Sequence, residues 1–250
     1  MKILSFCAMI VFLLSSLNFC LNKQPLSYQK LSKKITQTDK VLDSLTLWAT
    51  YYYIPTIEYK ENGIDFLDKN KKPLGIKVDS CDWCKACIEG TVKVRKDGKI
   101  ITLNYETRSD SLQYDCRKCE KYKDYTGYEK TGQVLWSKTD RGAKGVQEYR
   151  LVPFKSIAVD SAVIPYGSTL FIPQAKGIEY TGTDKSKKIH DGYFFAADAG
   201  SKIKGNHIDI FIGTATESPF SFIKSDSLGT FKAYFISDSV AQEKLLQIHK

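Results

Sequence analysis

The sequence predicts a mainly β protein: a small β-barrel, interrupted by a cysteine-rich insertion and followed by one C-terminal helix. Three observations carry that expectation. Short β-type runs, each bounded by Gly, Pro, Asp or Asn, recur through the second half of the chain. A polar, Lys- and Tyr-rich middle stretch contains a tight cluster of cysteines. The final residues have the apolar spacing of a helix.

Composition sets the outer bounds. The chain has 250 residues, 42% hydrophobic and 12% aromatic, enough to pack a core and to exclude wholesale disorder. Lys and Arg number 37 against 28 Asp and Glu, a net charge of +9. The excess is spread along the chain and favours anionic surroundings, such as a wall polymer or a phospholipid surface. No nucleic-acid recognition motif accompanies it, so nucleic acid is not an expected partner. His190, His207 and His249 are the only histidines, which argues against a multi-His metal centre. No phosphate-binding Gly-Lys loop, G-x-G-x-x-G or G-x-S-x-G occurs, which excludes the common nucleotide enzymes and α/β-hydrolases.

The elements follow in order. Lys2 precedes an apolar run, Ile3 to Leu14, broken only by Ser5, and Ser15 and Ser16 restore polarity. A basic start, a short apolar stretch and a polar exit describe an export signal over 1–19, because a spanning helix needs ~20 apolar residues. Cys20 then stands where an exported lipoprotein is acylated, which makes it the lipidation candidate and the route to the membrane. The chain is therefore expected outside the cytoplasm, periplasmic or anchored to an outer membrane. Residues 20–41 read as a basic tether. Leu42 to Tyr53, rich in Thr, Trp and Tyr and closed by Pro55, reads as a strand. Ile157 to Val159, Thr169 to Ile172, Tyr193 to Ala197, Ile208 to Ile212 and Phe231 to Ile236 supply further strands. The barrel is thus drawn from 42–60 and 148–237, with 61–147 inserted after its first strand. Inside the insertion, alternating runs around Asp97-Gly98 give a hairpin. Residues 238–250 form the terminal helix, capped by Ser237 or Asp238.

The cysteine cluster reads C-x2-C-x2-C at Cys81, Cys84 and Cys87, then C-x2-C at Cys116 and Cys119. Two structural chemistries fit, beside a redox or free-thiol role. Paired C-x2-C motifs flanking a hairpin can hold a structural zinc ion tetrahedrally. In an oxidising compartment the same spacing gives disulfides, with one of the five thiols left over. Either would staple an insertion too small to build a large core. No catalytic cofactor is required.

Three aspartates adjoin β-type runs: Asp160 after Ser156-Ile157-Ala158-Val159, Asp198 after Phe195-Ala196-Ala197, and Asp209 within His207-Ile208-Asp209-Ile210-Phe211. An unpaired buried carboxylate is costly, so each needs hydrogen bonds or a chemical task. Asp209, inside an apolar strand pattern, is the strongest functional candidate.

These segments resemble the three-aspartate (3D) domain and the C-terminal part of the membrane-bound lytic murein transglycosylase A family. Ser156 to Leu170 is similar to that family's S-I-A-V-D…I-P-x-G-T run. Ala197 to Gly213 is similar to its A-x-D-x-G-x-x-I-K-G-x-x-x-D-x-(F/Y)-x-G motif, with Ser201 in place of a usual Gly. Thr50-Tyr51-Tyr52-Tyr53-Ile54-Pro55 is similar to its T-G-Y-Y-x-P strand, with Tyr51 in place of Gly. The resemblance implies a six-stranded double-psi β-barrel and peptidoglycan glycan strands as the partner. It implies that Asp209 is the catalytic acid, with Asp198 as the second motif aspartate and Thr50 beside the acid. Tyr52, Asp160, Lys204, Gly205 and His207 are the substrate-binding candidates around it.

The implied reaction needs one carboxyl. In acid form it protonates the oxygen between N-acetylmuramic acid and N-acetylglucosamine. As carboxylate it then takes the proton of the muramic O6 hydroxyl, which closes on C1 to a 1,6-anhydro sugar. The acid must hold its proton near neutrality, so burial or a neighbouring carboxylate must raise its pKa. A non-catalytic exported barrel that binds wall glycan is the alternative, since fold does not decide function. An exported scaffold lipoprotein is a third.

Overall fold

The computed structural model describes residues 41–250. The expected export signal, Cys20 and the tether up to residue 40 lie outside the described residues. No helix among the described residues is long and apolar enough to cross a membrane.

Six strands close a barrel: β1 (Val41–Tyr52), β8 (Ser156–Ala158), β9 (Thr169–Phe171), β12 (Tyr193–Asp198), β13 (His207–Phe211) and β14 (Phe231–Ile236). Their order around the wall is β1-β13-β8-β12-β9-β14. The expected runs all become strands because β-branched and aromatic residues alternate with the pleat. Leu47, Ala49, Ile157, Leu170, Phe194, Ala196, Ile208, Ile210 and Ala233 point inward and form the barrel core. The parallel pairs, β1 with β13 and β8 with β12, join segments distant in sequence.

The outer wall is not simply a solvent face. Phe195, Ala197 and Phe211 point outward and pack with Ile54, Ala143, Leu151 and Leu245. Leu245 belongs to the terminal helix α3 (Ser239–Ile248), whose first turn is capped by Asp238, its carboxylate accepting from the Val240 N–H at 2.9 Å. His249, just past this helix, is fully buried, with Nε2 2.9 Å from the Ser156 hydroxyl and Nδ1 2.6 Å from the Leu245 carbonyl.

Between β1 and β8 the chain builds a second layer with its own core. Its sheet runs β2 (Thr56–Glu58), β5 (Thr91–Lys96), β6 (Lys99–Arg108), β7 (Val134–Thr139), flanked by the hairpin of β3 (Ile64–Leu67) and β4 (Pro73–Val78). Helix α1 (Ser80–Glu89) packs on it, and Trp83, Trp136, Phe66, Val92 and Leu103 are buried between them. A short helix α2 (Tyr128–Thr131) follows. Residues 56–60 were expected in the barrel. Instead β2 pairs in parallel with β5, Ile57 opposite Val94, because Ile57 is buried in this second core. The remaining strands, β10 (Glu179–Thr181) and β11 (Lys187–Ile189), form a small hairpin.

The cysteine cluster is oxidised. Cys81 is bonded to Cys119 and Cys84 to Cys116, with Cα separations of 5.5 and 5.7 Å. Of the two chemistries open at the sequence level, the structure carries the disulfides. Cys87 is left as a buried thiol, and one thiol cannot make the tetrahedral site that zinc requires. The two bonds tie α1 to the segment before α2.

Candidate active site

The outward row of β1 meets the outward row of β13 in register. Trp48 lies opposite His207, Thr50 opposite Asp209 and Tyr52 opposite Phe211. Each pair is a direct contact. The Trp48 and His207 rings stack at 3.5 Å. The Thr50 hydroxyl donates to Asp209 Oδ1 at 2.7 Å. The Tyr52 and Phe211 rings lie 5.2 Å apart. Because period-2 alternation sends Ile208 and Ile210 into the core, Asp209 must face out.

Asp198 arrives from the other side of β8. Ala158 pairs with Asp209 on β13 and with Asp198 on β12, so the two aspartates flank one residue. A one-residue shift between Ala196 and Asp198 sets this register. Such a bulge re-aims a side chain, and here it brings Asp198 to the level of Asp209. Gly145 lies over the bulge, where an added Cβ would sit 2.1 Å from the Ala197 carbonyl oxygen, so this approach requires glycine.

Both aspartates line a cleft of about 640 Å³, within the range of small-ligand sites. Tyr52, Ala158, Asp198 and Asp209 belong to the barrel wall. Glu89, Tyr105, Arg108 and Tyr125 come from the insertion, and Ser201 and Lys204 from the loop after β12. The insertion also reaches that loop directly, with the Lys202 ammonium 4.0 Å from the Tyr125 ring centre.

The two aspartates hold protons unusually well. Burial pushes Asp209 up to about 6, against the downward pull of the Thr50 hydroxyl. Burial also raises Asp198 to about 6; the Tyr52 hydroxyl and the Ala199 N–H oppose the shift, and the Asp209 charge adds to it. Those two donors occupy both Asp198 oxygens, Tyr52 O–H on Oδ2 at 2.7 Å and Ala199 N–H on Oδ1 at 2.8 Å. Tyr52 is itself raised well above its ordinary value by burial and then by Asp198.

The other candidates divide. Neither Thr50 nor His207 is in the cleft lining; His207 is linked to Asp209 through Thr50, its Nε2 2.9 Å from the same hydroxyl oxygen. Burial lowers its pKa, with the Lys202 backbone working the other way. One hydroxyl has one proton. While Asp209 is ionised, Thr50 donates to it and His207 Nε2–H donates to Thr50. When Asp209 is protonated, the chain can run in reverse toward a neutral His207. Lys204 is exposed on the cleft loop. Asp160 is outside the cleft lining and binds backbone instead, accepting from Ala162 N–H at 3.1 Å and Gly205 N–H at 2.9 Å. These bonds hold its pKa down. Gly205, at φ 60°, is the other end of that tie, which fixes the loop carrying Lys204.

Sequence reasoning missed Glu89. This last residue of α1 lines the same cleft, and its Oε2 accepts the Tyr53 N–H at 3.2 Å. Burial raises it to about 7; the Tyr53 N–H opposes, and the Asp209 charge raises it further. A Glu before a helix-ending Gly gives no local signal of this, since only the docking of α1 on the barrel places it.

With this geometry in hand, residues 155–219 match the family model of the 3D domain. The chain carries a 3D domain. The matched span holds Asp160, Asp198 and Asp209. No curated protein matches the sequence. Among solved structures, E. coli MltA with bound chitohexaose is similar over 77% of this chain and 72% of its own, at 15% identity and a TM-score of 0.52. MltA from Neisseria gonorrhoeae is similar over 78% and 74%, at 12% identity and a TM-score of 0.51. The 3D-domain protein thus resembles MltA in fold.

Proposed function

We propose that this 3D-domain protein is an exported peptidoglycan lytic transglycosylase that cleaves the bond between N-acetylmuramic acid and N-acetylglucosamine, with Asp209 as its acid and base. The observation that carries the reading is Asp209 on the wall of a cleft, held by Thr50 on one oxygen and raised to about 6. Such a group is a protonated donor in a useful fraction of molecules near neutrality and a competent base once it has donated. The fold likeness to MltA, a protein whose structure was solved with chitohexaose, supports a glycan as ligand.

In this reading a glycan strand lies in the cleft with its scissile oxygen against Asp209. The acid proton passes to that oxygen as its bond to C1 breaks. The carboxylate then accepts the O6 proton, and O6 closes on C1. Thr50 steadies the carboxylate form, and Asp198, fully engaged by Tyr52 and Ala199, keeps a second negative charge beside the oxocarbenium-like centre. Arg108 from the insertion and Lys204 from the loop after β12, both in the cleft lining, offer charge to the lactyl and peptide carboxylates. Export through residues 1–19, periplasmic or outer-membrane placement and a lipid anchor at Cys20 complete the proposal.

Digestion of purified sacculi by the intact protein tests it. Soluble muropeptides ending in 1,6-anhydro-muramic acid are the expected products. Retention of the protein on sacculi with no soluble fragment would instead identify a glycan-binding barrel.

A further inference from the structure

The cleft contains a carboxyl that the one-acid reaction does not use. Glu89 comes from the insertion, at the end of the helix that the two disulfides tie down, and lines the same cleft as Asp209. Glu106 and Glu148 also line the cleft, but both are ion-paired to Lys144. Hydrogen bonding separates the other three carboxyls. Asp198 has both oxygens occupied. Asp209 has one oxygen held by Thr50, and Glu89 has one held by the Tyr53 N–H. Among the described residues, neither Asp209 Oδ2 nor Glu89 Oε1 has a hydrogen-bond partner. Each of these two groups is therefore oriented by one oxygen and left with the other for chemistry.

We propose that Glu89 is a second acid/base group of this cleft and that the protein hydrolyses the glycosidic bond alongside closing it to the anhydro sugar. This rests on the reading above, that Asp209 protonates a glycosidic oxygen. In the added route Asp209 gives its proton to the leaving oxygen as the C1–O bond breaks. The oxygen of a water molecule bonds to C1, and one of its protons passes to the Glu89 carboxylate. Exchange of that proton back to solvent-connected Asp209 restores the pair. The sum adds one water across the bond and leaves a reducing-end sugar. Two carboxyls serving one glycosidic bond, one as acid and one as base toward water, is the arrangement that hydrolysis requires. The Asp209 charge adds, after burial, to the rise at Glu89, which suits a group that takes up a proton from water. Lys85, Lys121, Tyr122 and Tyr52 also interact electrostatically with Glu89.

A bland role must be separable from this one. Glu89 also joins α1 to the barrel through Tyr53, but Glu89→Gln keeps an oxygen that accepts that N–H. The experiment digests sacculi and counts reducing-end against anhydro-ended muropeptides, which differ by the mass of one water. The unaltered protein should release both. Glu89→Gln should lower the ratio of reducing-end to anhydro products about tenfold or more, and Glu89→Asp should fall between. Anhydro products alone from the unaltered protein, or the same product ratio from Glu89→Gln, would overturn the second route and leave the transglycosylase reading standing. No soluble product at all would overturn both.

Discussion

Thr50 and Asp209 face each other across the parallel pair of β1 and β13, and the Thr50 hydroxyl donates to Asp209 Oδ1 at 2.7 Å. The contact selects between protonation states, since it stabilises the carboxylate while burial disfavours it. Thr50 therefore sets how acidic Asp209 is. Removing the hydroxyl at constant shape, Thr50→Val, should push the Asp209 pKa further up by about one unit or more, the scale of a hydrogen bond to a charged group. The pH–rate profile should move upward at its basic limb, and the maximal rate should fall as Asp209 loses the hydroxyl that orients it. Thr50→Ser should restore both. A profile unmoved in Thr50→Val would mean that the pair does not tune the reacting group.

Stability should show two opposed pH dependences over one window. Asp198 and Asp209 are raised from 3.8 to about 6 and Glu89 from 4.5 to about 7, so the folded state binds these protons more tightly than the unfolded. Their contribution is full below about pH 4 and is lost as pH rises through 6 to 7. His190 and His249 are lowered from 6.5 to about 4 by burial. They are held neutral, so their contribution is full above 6.5 and is lost as pH falls toward 4. The Asp198→Asn variant should thus show melting temperature rising with pH from 4 to 7 more than the unaltered protein. His249→Gln should tilt the curve the other way. Parallel curves for all three proteins would contradict these assignments.

The two disulfides are nested, Cys84–Cys116 inside Cys81–Cys119. Either one closes most of the chain that the other closes. Losing one pair to serine should therefore cost little, whereas losing both should cost about 3–4 kcal/mol in the chain-entropy account of a loop this long. The expected non-additivity is checked by thermal unfolding of the two double-serine variants and the quadruple variant. Additive losses would show that each bond acts through its own local contacts.

Much of the barrel is visible in the sequence because its strands alternate cleanly. The run His207-Ile208-Asp209-Ile210-Phe211 shows both the inward isoleucines and the outward acid without any tertiary information. The helix at Ser239 announces itself through Asp238. What the sequence hides is produced by contacts between distant segments. Ile57 leaves the barrel because a second core forms around Trp83 and Trp136. Asp198 reaches the level of Asp209 through a bulge that no residue type specifies. Asp160 shares the surroundings of the other two aspartates in sequence yet spends its oxygens on backbone N–H groups. Glu89 enters the cleft only because the end of α1 meets the chain just past β1, at the Tyr53 N–H.

The central claim is that Asp209 is the acid without which no glycosidic bond is broken in this cleft. Asp209→Asn keeps an oxygen for the Thr50 hydroxyl and a similar shape, so the fold should persist. The decisive measurement is the yield of anhydro-muropeptides from sacculi treated with this variant and with the unaltered protein, both confirmed folded by their melting transitions. The account predicts abundant release by the unaltered protein and none detectable by Asp209→Asn. An equal yield from the variant would contradict it.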